Sequence, residues 1–266
     1  MSGFLVINPR SGAEFPTPSD LAHAAAERGV EAHVLRAGED AALVAADSGA
    51  DPIGVAGGDG SLAGVAAVAL GRGARFVCVP YGTRNHFARD LGLPRGDPIA
   101  ALDAFAGVEQ PIDVGRVGDR VFLNNVSLGL YAGLVHRRNR HRGRRTALAT
   151  ARAMLLGVRR HRDVRLSVDG RRLTARVVLI ANNAYELDLF SVGARSSLVE
   201  GNLHLYAAAG WLPSAWEELS GERFRIELDQ PRVRAAVDGE AVDLDSPLEC
   251  TIEPRALRVL VPSPPG

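Results

Sequence analysis

Over the first 110 residues, short apolar runs alternate with alanine-rich stretches in which apolar positions recur at helical spacing. The apolar runs predict strands at Phe4–Ile7, Ala32–Leu35, Pro52–Ala56 and Arg75–Val79. The alanine-rich stretches predict helices at 17–29, Glu39–Ser48 and Leu62–Leu70. Strands and helices in this alternation are typical of a parallel sheet with helices on its faces. We therefore predict an α/β N-terminal domain.

After residue 113 the pattern changes to short apolar runs bounded by Gly, Asp or Asn, and only 144–158 has convincing helical spacing. The runs predict strands at Val121–Val126, Val164–Val168, Leu173–Ile180, Leu203–Ala207, Phe224–Leu228, Val233–Val237 and Leu248–Ile252. Many short strands favour a β-rich, sandwich-like second domain. We place the two domains at 1–113 and 114–253. A last strand, Ala256–Pro262, leads us to expect that 254–266 joins the first domain.

The composition excludes several classes of protein. All 31 basic residues are arginine and 31 residues are acidic, so the formal net charge is zero. Without lysine the chain has neither a Walker-type P-loop nor a Schiff-base lysine. Its two cysteines, Cys78 and Cys250, are too few for a disulfide framework or a zinc site, and both lie in apolar runs. We expect buried free thiols, a cytoplasmic location, no signal peptide, no membrane span and no nucleic-acid partner.

Two segments follow neighbouring strands of the predicted sheet and carry candidate chemistry. In Gly57-Gly58-Asp59-Gly60-Ser61 a strand runs through three glycines into a helix. Backbone N–H groups there can approach a phosphate without any lysine, although a plain strand-to-helix turn would have the same residues. The second segment, Pro80–Pro94, emerges at the same sheet edge, where α/β proteins bind ligands. Thr83 could contact a nucleotide or simply cap a helix, with Phe87 and Leu91 packed on the sheet.

Three ordered segments, Asn8–Gly12, Gly57–Ser61 and Pro80–Pro94, resemble blocks of the diacylglycerol kinase catalytic-domain family, the bacterial lipid kinases related to sphingosine kinases and NAD kinases. Gly-Gly-Asp-Gly-Ser combined with Pro-x-Gly-Thr-x-Asn-x-Phe-Ala-Arg-x-Leu-Gly is specific, whereas either half alone is weak. The resemblance implies that ATP binds to the first domain. The residues that it implies for the nucleotide are Asn8, Gly57, Gly58, Asp59, Gly60, Ser61, Gly82, Thr83 and Asn85. Asp59 is also expected to be catalytic and, as a loop carboxylate, to contribute little to stability.

Two later segments fit the same family in order. Leu198-Val199-Glu200-Gly201-Asn202 resembles a loop that binds a structural Mg²⁺ in some members, with the Glu200 carboxylate joined by the carbonyls of Leu198 and Asn202. Asp238-Gly239-Glu240 resembles a segment that offers the acceptor hydroxyl a general base, which makes Glu240 the expected base and Asp238 the alternative. Asp169-Gly170 has the same Asp-Gly pair and predicts an ordinary hairpin turn.

The chain also departs from the family pattern. Ser61-Leu62-Ala63-Gly64 stands where Thr-x-Asn-Glu is common, and Arg36-Ala37 stands near the second strand where many relatives have a threonine. Asn182–Leu187 replaces a glycine-rich segment on the acceptor side.

Fourteen arginines lie between residues 136 and 176, against Asp163 and Asp169, so this segment has a net charge of 14 − 2 = +12. We call the segment Arg137–Arg176 the arginine cluster. It could be a solvated face or a homodimer interface, or it could dock on an anionic membrane. Between its arginines, Thr146–Gly157 has the composition of a core helix, with a lipid groove as the alternative.

The resemblance implies an ATP- and Mg²⁺-dependent lipid kinase of phospholipid metabolism that phosphorylates a hydroxyl of a diacylglycerol-like or other lipid. We expect it at the inner face of the membrane as a peripheral protein. Two alternatives stay open, an NAD kinase-like enzyme and a nucleotide- or membrane-binding regulator with weakened catalysis.

Overall fold

The computed structural model describes residues 3–12, 15–82, 85–129, 163–188, 191–192, 194–208 and 216–263. The chain divides into two compact units. The first unit comprises Met1–Val114, Ala194–Gly201 and Glu253–Gly266. The second comprises Gly115–Gly193 and Asn202–Ile252.

The first unit is an α/β structure around a parallel sheet. Its strands are β1 (Phe4–Ile7), β2 (Glu31–Val34), β3 (Ile53–Gly57) and β4 (Phe76–Pro80). Its helices are α1 (Pro18–Glu27), α2 (Ala41–Asp47), α3 (Asp59–Arg72), α4 (His86–Asp90) and a 3₁₀ helix at Ala100–Ala106. The strand order is β2-β1-β3-β4, with all neighbours parallel. The predicted alternation of strands and helices is confirmed.

Local sequence explains where the helices of this unit begin. Thr17 caps α1 in a reciprocal capping box with Asp20, and Pro18 occupies the first turn, where its missing N–H costs nothing. The Asp40 carboxylate caps α2 by accepting the N–H groups of Ala42 and Leu43. The apolar face of α1 then packs on the sheet in a core cluster that includes Leu5, Ile7, Leu21, Val77, Val79 and Leu260.

The second unit is built almost entirely of antiparallel strands. Beyond the end of β5 (Val108–Val117), they are β6 (Arg120–Phe122), β7 (Asn125–Gly129), β8 (Val164–Val168), β9 (Arg171–Ala175), β10 (Val177–Asn182), β11 (Leu187–Asp188), β12 (Ser191–Val192), β13 (Leu203–Ala208), β14 (Trp216–Gly221), β15 (Arg223–Leu228), β16 (Arg232–Val237), β17 (Glu240–Asp245) and β18 (Leu248–Val261). Six of them form an antiparallel sheet in the order β14-β13-β10-β7-β16-β17.

One core joins the two layers of this unit. Val126 and Ile180 from the six-stranded sheet pack in the same buried cluster as Leu166, Ile226 and Cys250 from the β8–β15–β18 layer. This arrangement confirms the predicted β-rich, sandwich-like fold.

Several predicted strands have different limits in the structure. The run Val121–Val126 is split into β6 and β7, and the run Leu173–Ile180 is split into β9 and β10. Leu248–Ile252 and Ala256–Pro262, predicted as two strands, belong to the single strand β18. Strands β5, β11, β12, β14 and β17 were not predicted. Strands β6, β9 and β17 begin at short turns from their hairpin partners β5, β8 and β16, whereas β7 and β10 pair with each other across a long stretch of chain.

Strand β18 contributes to both units. Within the second unit Leu248–Thr251 pairs with β15, and within the first unit Val259 and Leu260 pair in parallel with β4. Arg255, between these parts, has a positive φ of 50°. The segment Ala194–Gly201 also belongs to the first unit, which the sequence did not indicate.

Part of the predicted organisation falls outside the described residues, namely the helix at 144–158 and the arginines from Arg137 to Arg162. Within the described ranges, no helix is long and apolar enough to cross a membrane.

Candidate functional site

The turn Gly57–Ser61, hereafter the glycine turn, joins the carboxyl end of β3 to the first turn of α3. Gly58 is the N-cap of α3, and no side-chain hydrogen bond caps this helix. A Cβ on Gly57 would lie 2.8 Å from the Cβ of Ser61, so the turn has no room for a side chain there. The Ser61 N–H donates to the Gly58 carbonyl at 2.9 Å, so the N–H groups of Asp59 and Gly60 are the candidates for an anion at this helix start. The helix dipole favours negative charge at this end.

Gly82 packs directly against the glycine turn. A Cβ on Gly82 would lie 2.6 Å from the Cα of Gly58 and 3.1 Å from its nitrogen. The buried side chain of Asn85 fixes Gly82 in place, because its Oδ1 accepts the Gly82 N–H and its Nδ2 donates to the Gly82 carbonyl, both at 2.9 Å. Asn85 itself has a φ of 48°, a left-handed conformation that asparagine tolerates. The two glycine-containing turns thus meet backbone to backbone.

Asp59 connects the glycine turn to α4. Its carboxylate accepts the backbone N–H of His86 at 3.3 Å and that of Phe87 at 3.1 Å. Phe87 is fully buried and Leu91 is 8% exposed, as expected if α4 packs on the sheet. The expectation that Asp59 contributes little to stability is wrong, because its carboxylate caps a helix in another segment.

The loop after β1 is joined to both turns. Asn8 donates from Nδ2 to the Ser61 hydroxyl at 2.9 Å, and its Oδ1 accepts the N–H of Arg10 at 3.0 Å. Tyr81, which precedes Gly82, donates its hydroxyl proton to the Pro16 carbonyl at 2.7 Å. Burial, together with the negative charge of Asp20, raises the pKa of Tyr81, so this hydroxyl keeps its proton at neutral pH.

Three strand ends therefore bring one set of polar groups together at the carboxyl edge of the parallel sheet. The described residues of the predicted nucleotide site that lie there are Asn8, Gly57, Gly58, Asp59, Gly60, Ser61, Gly82 and Asn85. Thr83 lies outside the described residues. A backbone-lined cradle without lysine suits a phosphate chain, and its assignment to ATP stays a prediction.

In the second unit, Asp238 and Gly239 form the turn between β16 and β17, with φ values of 47° and 80°. Asp238 is 5% exposed, and its carboxylate accepts three backbone N–H groups, from Leu123 at 2.7 Å, Asn124 at 2.8 Å and Asn125 at 3.0 Å. These contacts hold the segment between β6 and β7. Asp238 is therefore a positioning residue for this segment, and a catalytic role for it stays a hypothesis.

The turn at Asp169-Gly170 has nearly the same backbone, with φ values of 49° and 86°. Asp169 is exposed and accepts one backbone N–H, from Arg225 at 2.9 Å. The predicted hairpin is confirmed, and the two Asp-Gly turns differ in burial and number of donors rather than in shape. Glu240, the first residue of β17, is exposed. Its assignment as the general base stays a prediction.

The predicted cation loop is held by backbone hydrogen bonds. The Leu198 carbonyl accepts the Asp113 N–H at 2.8 Å, and the Asn202 carbonyl accepts the Asn183 N–H at 3.0 Å. Each carbonyl keeps a second lone pair, and Glu200 is exposed. Oxygen donors of this kind fit a hard cation such as Mg²⁺. Among the described residues no group of three or more His, Cys, Asp or Glu side chains could hold a metal.

Two buried carboxylates near this loop were missed by sequence reasoning. Asp113, 1% exposed, accepts the N–H groups of Gly201 at 2.7 Å and Arg255 at 2.8 Å. The Asp90 side chain, 1% exposed, pairs with the fully buried side chain of Arg195 at 2.7 Å. The only sequence signal for Asp113 is its position inside the apolar run Ile112–Val114. Both carboxylates fix the segment Ala194–Gly201 within the first unit.

Four arginines of the arginine cluster lie among the described residues, Arg165, Arg171, Arg172 and Arg176. Arg171 pairs with Glu217, and Arg176 pairs with Asp163 at 3.1 Å. Part of the charge of these four side chains is thus locally compensated.

The chain is similar to known proteins in sequence and in structure. Residues 2–117 match the family model of the diacylglycerol kinase catalytic domain. An uncharacterized protein of Synechocystis is 26% identical over 236 residues, which is 77% of this chain and 54% of that protein. A probable lipid kinase of Pseudomonas aeruginosa is 47% identical over 75 residues, which is 27% of this chain and 24% of that protein. The chain thus spans about half of the first relative and a quarter of the second.

Solved structures match the chain over nearly its whole length. The crystal structure of a diacylglycerol kinase from Bacillus anthracis superimposes with a TM-score of 0.71 at 18% identity, covering 98% of this chain and 96% of that one. At this identity the likeness establishes the fold.

Proposed function

We propose that this chain, whose residues 2–117 match the family model of the diacylglycerol kinase catalytic domain, is an ATP-dependent kinase of a diacylglycerol-like or other lipid hydroxyl. The observation that carries the proposal is the contact of Gly82 with the glycine turn, where a Cβ would lie 2.6 Å from the Gly58 Cα. Two turns from adjacent strand ends approach each other through glycines there, as a phosphate chain held by backbone N–H groups requires.

The first unit positions the phosphoryl donor. The N–H groups at the start of α3 bind phosphate oxygens of ATP, and the dipole of α3 supplements them. Mg²⁺ bound with the nucleotide would neutralise part of the charge on the transferred phosphoryl group. The Asp59 carboxylate holds the start of α4 against the glycine turn, and the Asn8 side chain holds the Ser61 hydroxyl in place.

In the second unit, the Glu240 carboxylate accepts the proton of the acceptor hydroxyl. The acceptor oxygen then attacks the γ-phosphorus, and the bond from that phosphorus to the bridging oxygen of ADP breaks. Asp238 acts indirectly, because its carboxylate orders the peptide groups of Leu123, Asn124 and Asn125 beside the turn that carries Glu240.

A structural cation is the second metal in the proposal. The carbonyls of Leu198 and Asn202 and the carboxylate of Glu200 would hold it. Mg²⁺ there would keep the loop before β13 in one conformation and takes no part in phosphoryl transfer.

Membrane docking by the arginine cluster completes the proposal. A net charge of +12 in this segment favours an anionic bilayer, at about 1 kcal/mol per basic residue near the surface. Vesicles containing anionic lipid are expected to bind the protein at low ionic strength and to release it as the Debye length falls from about 10 Å at 0.1 M salt toward about 3 Å at 1 M. Equal binding to neutral vesicles would contradict this mode of docking.

The proposed activity is tested by supplying labelled ATP with a total lipid extract, with NAD, or with no acceptor. Label in the lipid fraction supports the lipid kinase. Label in NAD would support an NAD kinase instead, and binding of ATP without transfer to any acceptor would indicate a regulator.

A further inference from the structure

Asn183, the residue after β10, has a buried side chain without a partner. It is 0% exposed, and among the described residues neither its Oδ1 nor its Nδ2 makes a hydrogen bond. Buried side-chain amides in proteins nearly always have partners, because an unsatisfied polar group loses its hydration without compensation. The amide of Asn183 therefore requires an explanation.

The backbone at Asn183 does not supply that explanation. Its φ is 67°, and its N–H donates to the Asn202 carbonyl at 3.0 Å. Glycine adopts this conformation more easily and would make the same backbone hydrogen bond without burying an amide. For stability alone, asparagine is the poorer residue at this position.

Asn183 lies at the same end of the six-stranded sheet as Glu240. Strand β10 ends at Asn182, β16 ends at Val237 and β17 begins at Glu240. The strands β7 and β16 separate β10 from β17, so the two positions are three strand spacings apart, or about 14 Å. Both residues therefore belong to one end of one sheet.

A hydrogen-bond chain connects the two positions. The Asn182 Nδ2 donates to the Leu123 carbonyl at 3.1 Å, and the Leu123 N–H donates to the Asp238 carboxylate at 2.7 Å. Asp238 in turn lies two residues before Glu240. Hydrogen bonds thus connect the turn that carries the proposed base to Asn182. Asn183, with its unsatisfied amide, is the next residue.

The chemistry of an amide limits what can satisfy it. Its Nδ2 donates and its Oδ1 accepts, so a group that both accepts and donates, such as a hydroxyl, satisfies both atoms. An ester carbonyl only accepts and leaves Oδ1 unsatisfied. We propose that Asn183 determines acceptor specificity by binding a second free hydroxyl, so that the preferred acceptor has two free hydroxyls, as a monoacylglycerol has, rather than one.

This inference rests on the proposed function, and its test separates the two. Rates of phosphoryl transfer to 1-monooleoylglycerol and to 1,2-dioleoylglycerol in mixed micelles are compared for the wild type, Asn183→Gly and Asp169→Gly. Asp169 is a matched control, because it has a similar φ of 49° in an exposed turn of the other layer. Wild type and Asp169→Gly are expected to phosphorylate the monoacylglycerol faster than the diacylglycerol. In Asn183→Gly the ratio of the two rates is expected to be about tenfold lower.

Two measurements without catalysis accompany the rates. Asn183→Gly is expected to unfold at the same temperature as the wild type or higher, since glycine suits this backbone. The rise in melting temperature that 1-monooleoylglycerol produces without ATP is expected to be smaller in this variant than in wild type.

The outcomes are distinguishable. Transfer to both acceptors with unchanged preference in Asn183→Gly overturns the inference and leaves the proposed kinase intact. A lower melting temperature with unchanged preference also overturns it and assigns the amide a structural role, such as holding a buried water. Transfer to neither acceptor counts against the proposed function. The rise in melting temperature with 1-monooleoylglycerol, measured without ATP, then still decides whether Asn183 binds the acceptor.

Discussion

The carboxylate of Asp59 accepts the backbone N–H of Phe87 at 3.1 Å, across 28 residues of sequence. One side chain thus joins the glycine turn at the end of β3 to the helix α4 that follows β4. Because the two turns also meet at Gly58 and Gly82, the spacing of the proposed phosphate cradle depends on this carboxylate. Asp59 is as much part of the architecture as of the proposed chemistry.

Replacing Asp59 by alanine is expected to affect both stability and nucleotide binding. Loss of two backbone hydrogen bonds at a helix start should lower the free energy of unfolding by about 1–2 kcal/mol. Binding of ATP should weaken further than this destabilisation explains, because α4 is no longer held against the glycine turn. Denaturant titration and calorimetric titration with ATP measure the two effects.

Asp40→Ala is the control for that variant. Asp40 also caps a helix through two backbone N–H groups, those of Ala42 and Leu43, and it lies outside the glycine turn. The control should lose similar stability and retain ATP binding. If both variants bind ATP equally well, Asp59 has only a structural role.

Gly82→Ala tests the contact between the two turns. The added methyl group would overlap the backbone of Gly58, so the turns must separate, at a cost of about 1–3 kcal/mol. Because the separated turns no longer hold their N–H groups in one cradle, the binding free energy of ATP should weaken by about 1.4 kcal/mol or more, which is a loss of affinity of about tenfold or more.

Gly71→Ala is the matched substitution. Gly71 lies inside α3, and the space that a Cβ would occupy there is open. Alanine at this position should stabilise the protein by about 0.5–1 kcal/mol without changing ATP binding. Unchanged ATP affinity in Gly82→Ala would show that ATP binding does not depend on the contact between the two turns.

Glu240→Gln is expected to lose turnover, and Asp238→Asn is expected to lose stability. Glutamine at 240 removes the proposed base, so turnover should fall by about 10²–10⁴ with little change in melting temperature. Asparagine at 238 replaces one acceptor oxygen by a donor opposite backbone N–H groups, and should destabilise the protein by about 1–3 kcal/mol.

The same carboxylate-to-amide change at Asp169 should cost less, because Asp169 is exposed and accepts one backbone N–H. A different result would make Asp238 the base. In that case Glu240→Gln would turn over within a few-fold of wild type, and Asp238→Asn would lose more turnover than its lower stability explains.

Both cysteines are expected to be unreactive in the folded protein. Burial, with a contribution from the Asp59 carboxylate, raises the pKa of the Cys78 thiol, and burial with Glu249 raises the pKa of Cys250 to about 12. At mildly alkaline pH both groups remain protonated thiols, whereas reagents attack the thiolate. A thiol reagent should modify neither cysteine in buffer and both in guanidinium chloride. Fast modification of the native protein would contradict the buried positions.

The α/β part of the fold was predictable because its signals are local. The strand Phe4–Ile7 has the predicted limits, and the helix after the glycine turn needs only its own residues to be recognised. The glycine-rich turns were also visible as candidates. Their mutual contact was not, because it depends on the positions that β3 and β4 take in the sheet.

The second unit was predicted less well, because much of its structure depends on contacts between residues far apart in the sequence. The run Val121–Val126 was predicted as one strand although it contains Asn124 and Asn125. It is split because Asp238, 115 residues away from Leu123, accepts the N–H groups in its middle. The two turns share the pair Asp-Gly, and they differ in the burial of the aspartate and in the number of N–H groups that it accepts. Likewise nothing local to Asn183 indicates that its amide is buried without a partner.

The most direct test of the central claim is transfer of the γ-phosphoryl group from ATP to a lipid. Wild-type protein and Glu240→Gln are each incubated with a lipid extract and ATP labelled either at the γ- or at the α-phosphorus, and the lipid phase is counted. Our account predicts label in lipid from γ-labelled ATP only, at a rate about 10²–10⁴ lower for Glu240→Gln. No label in lipid from either ATP, with a folded wild-type protein, would contradict it.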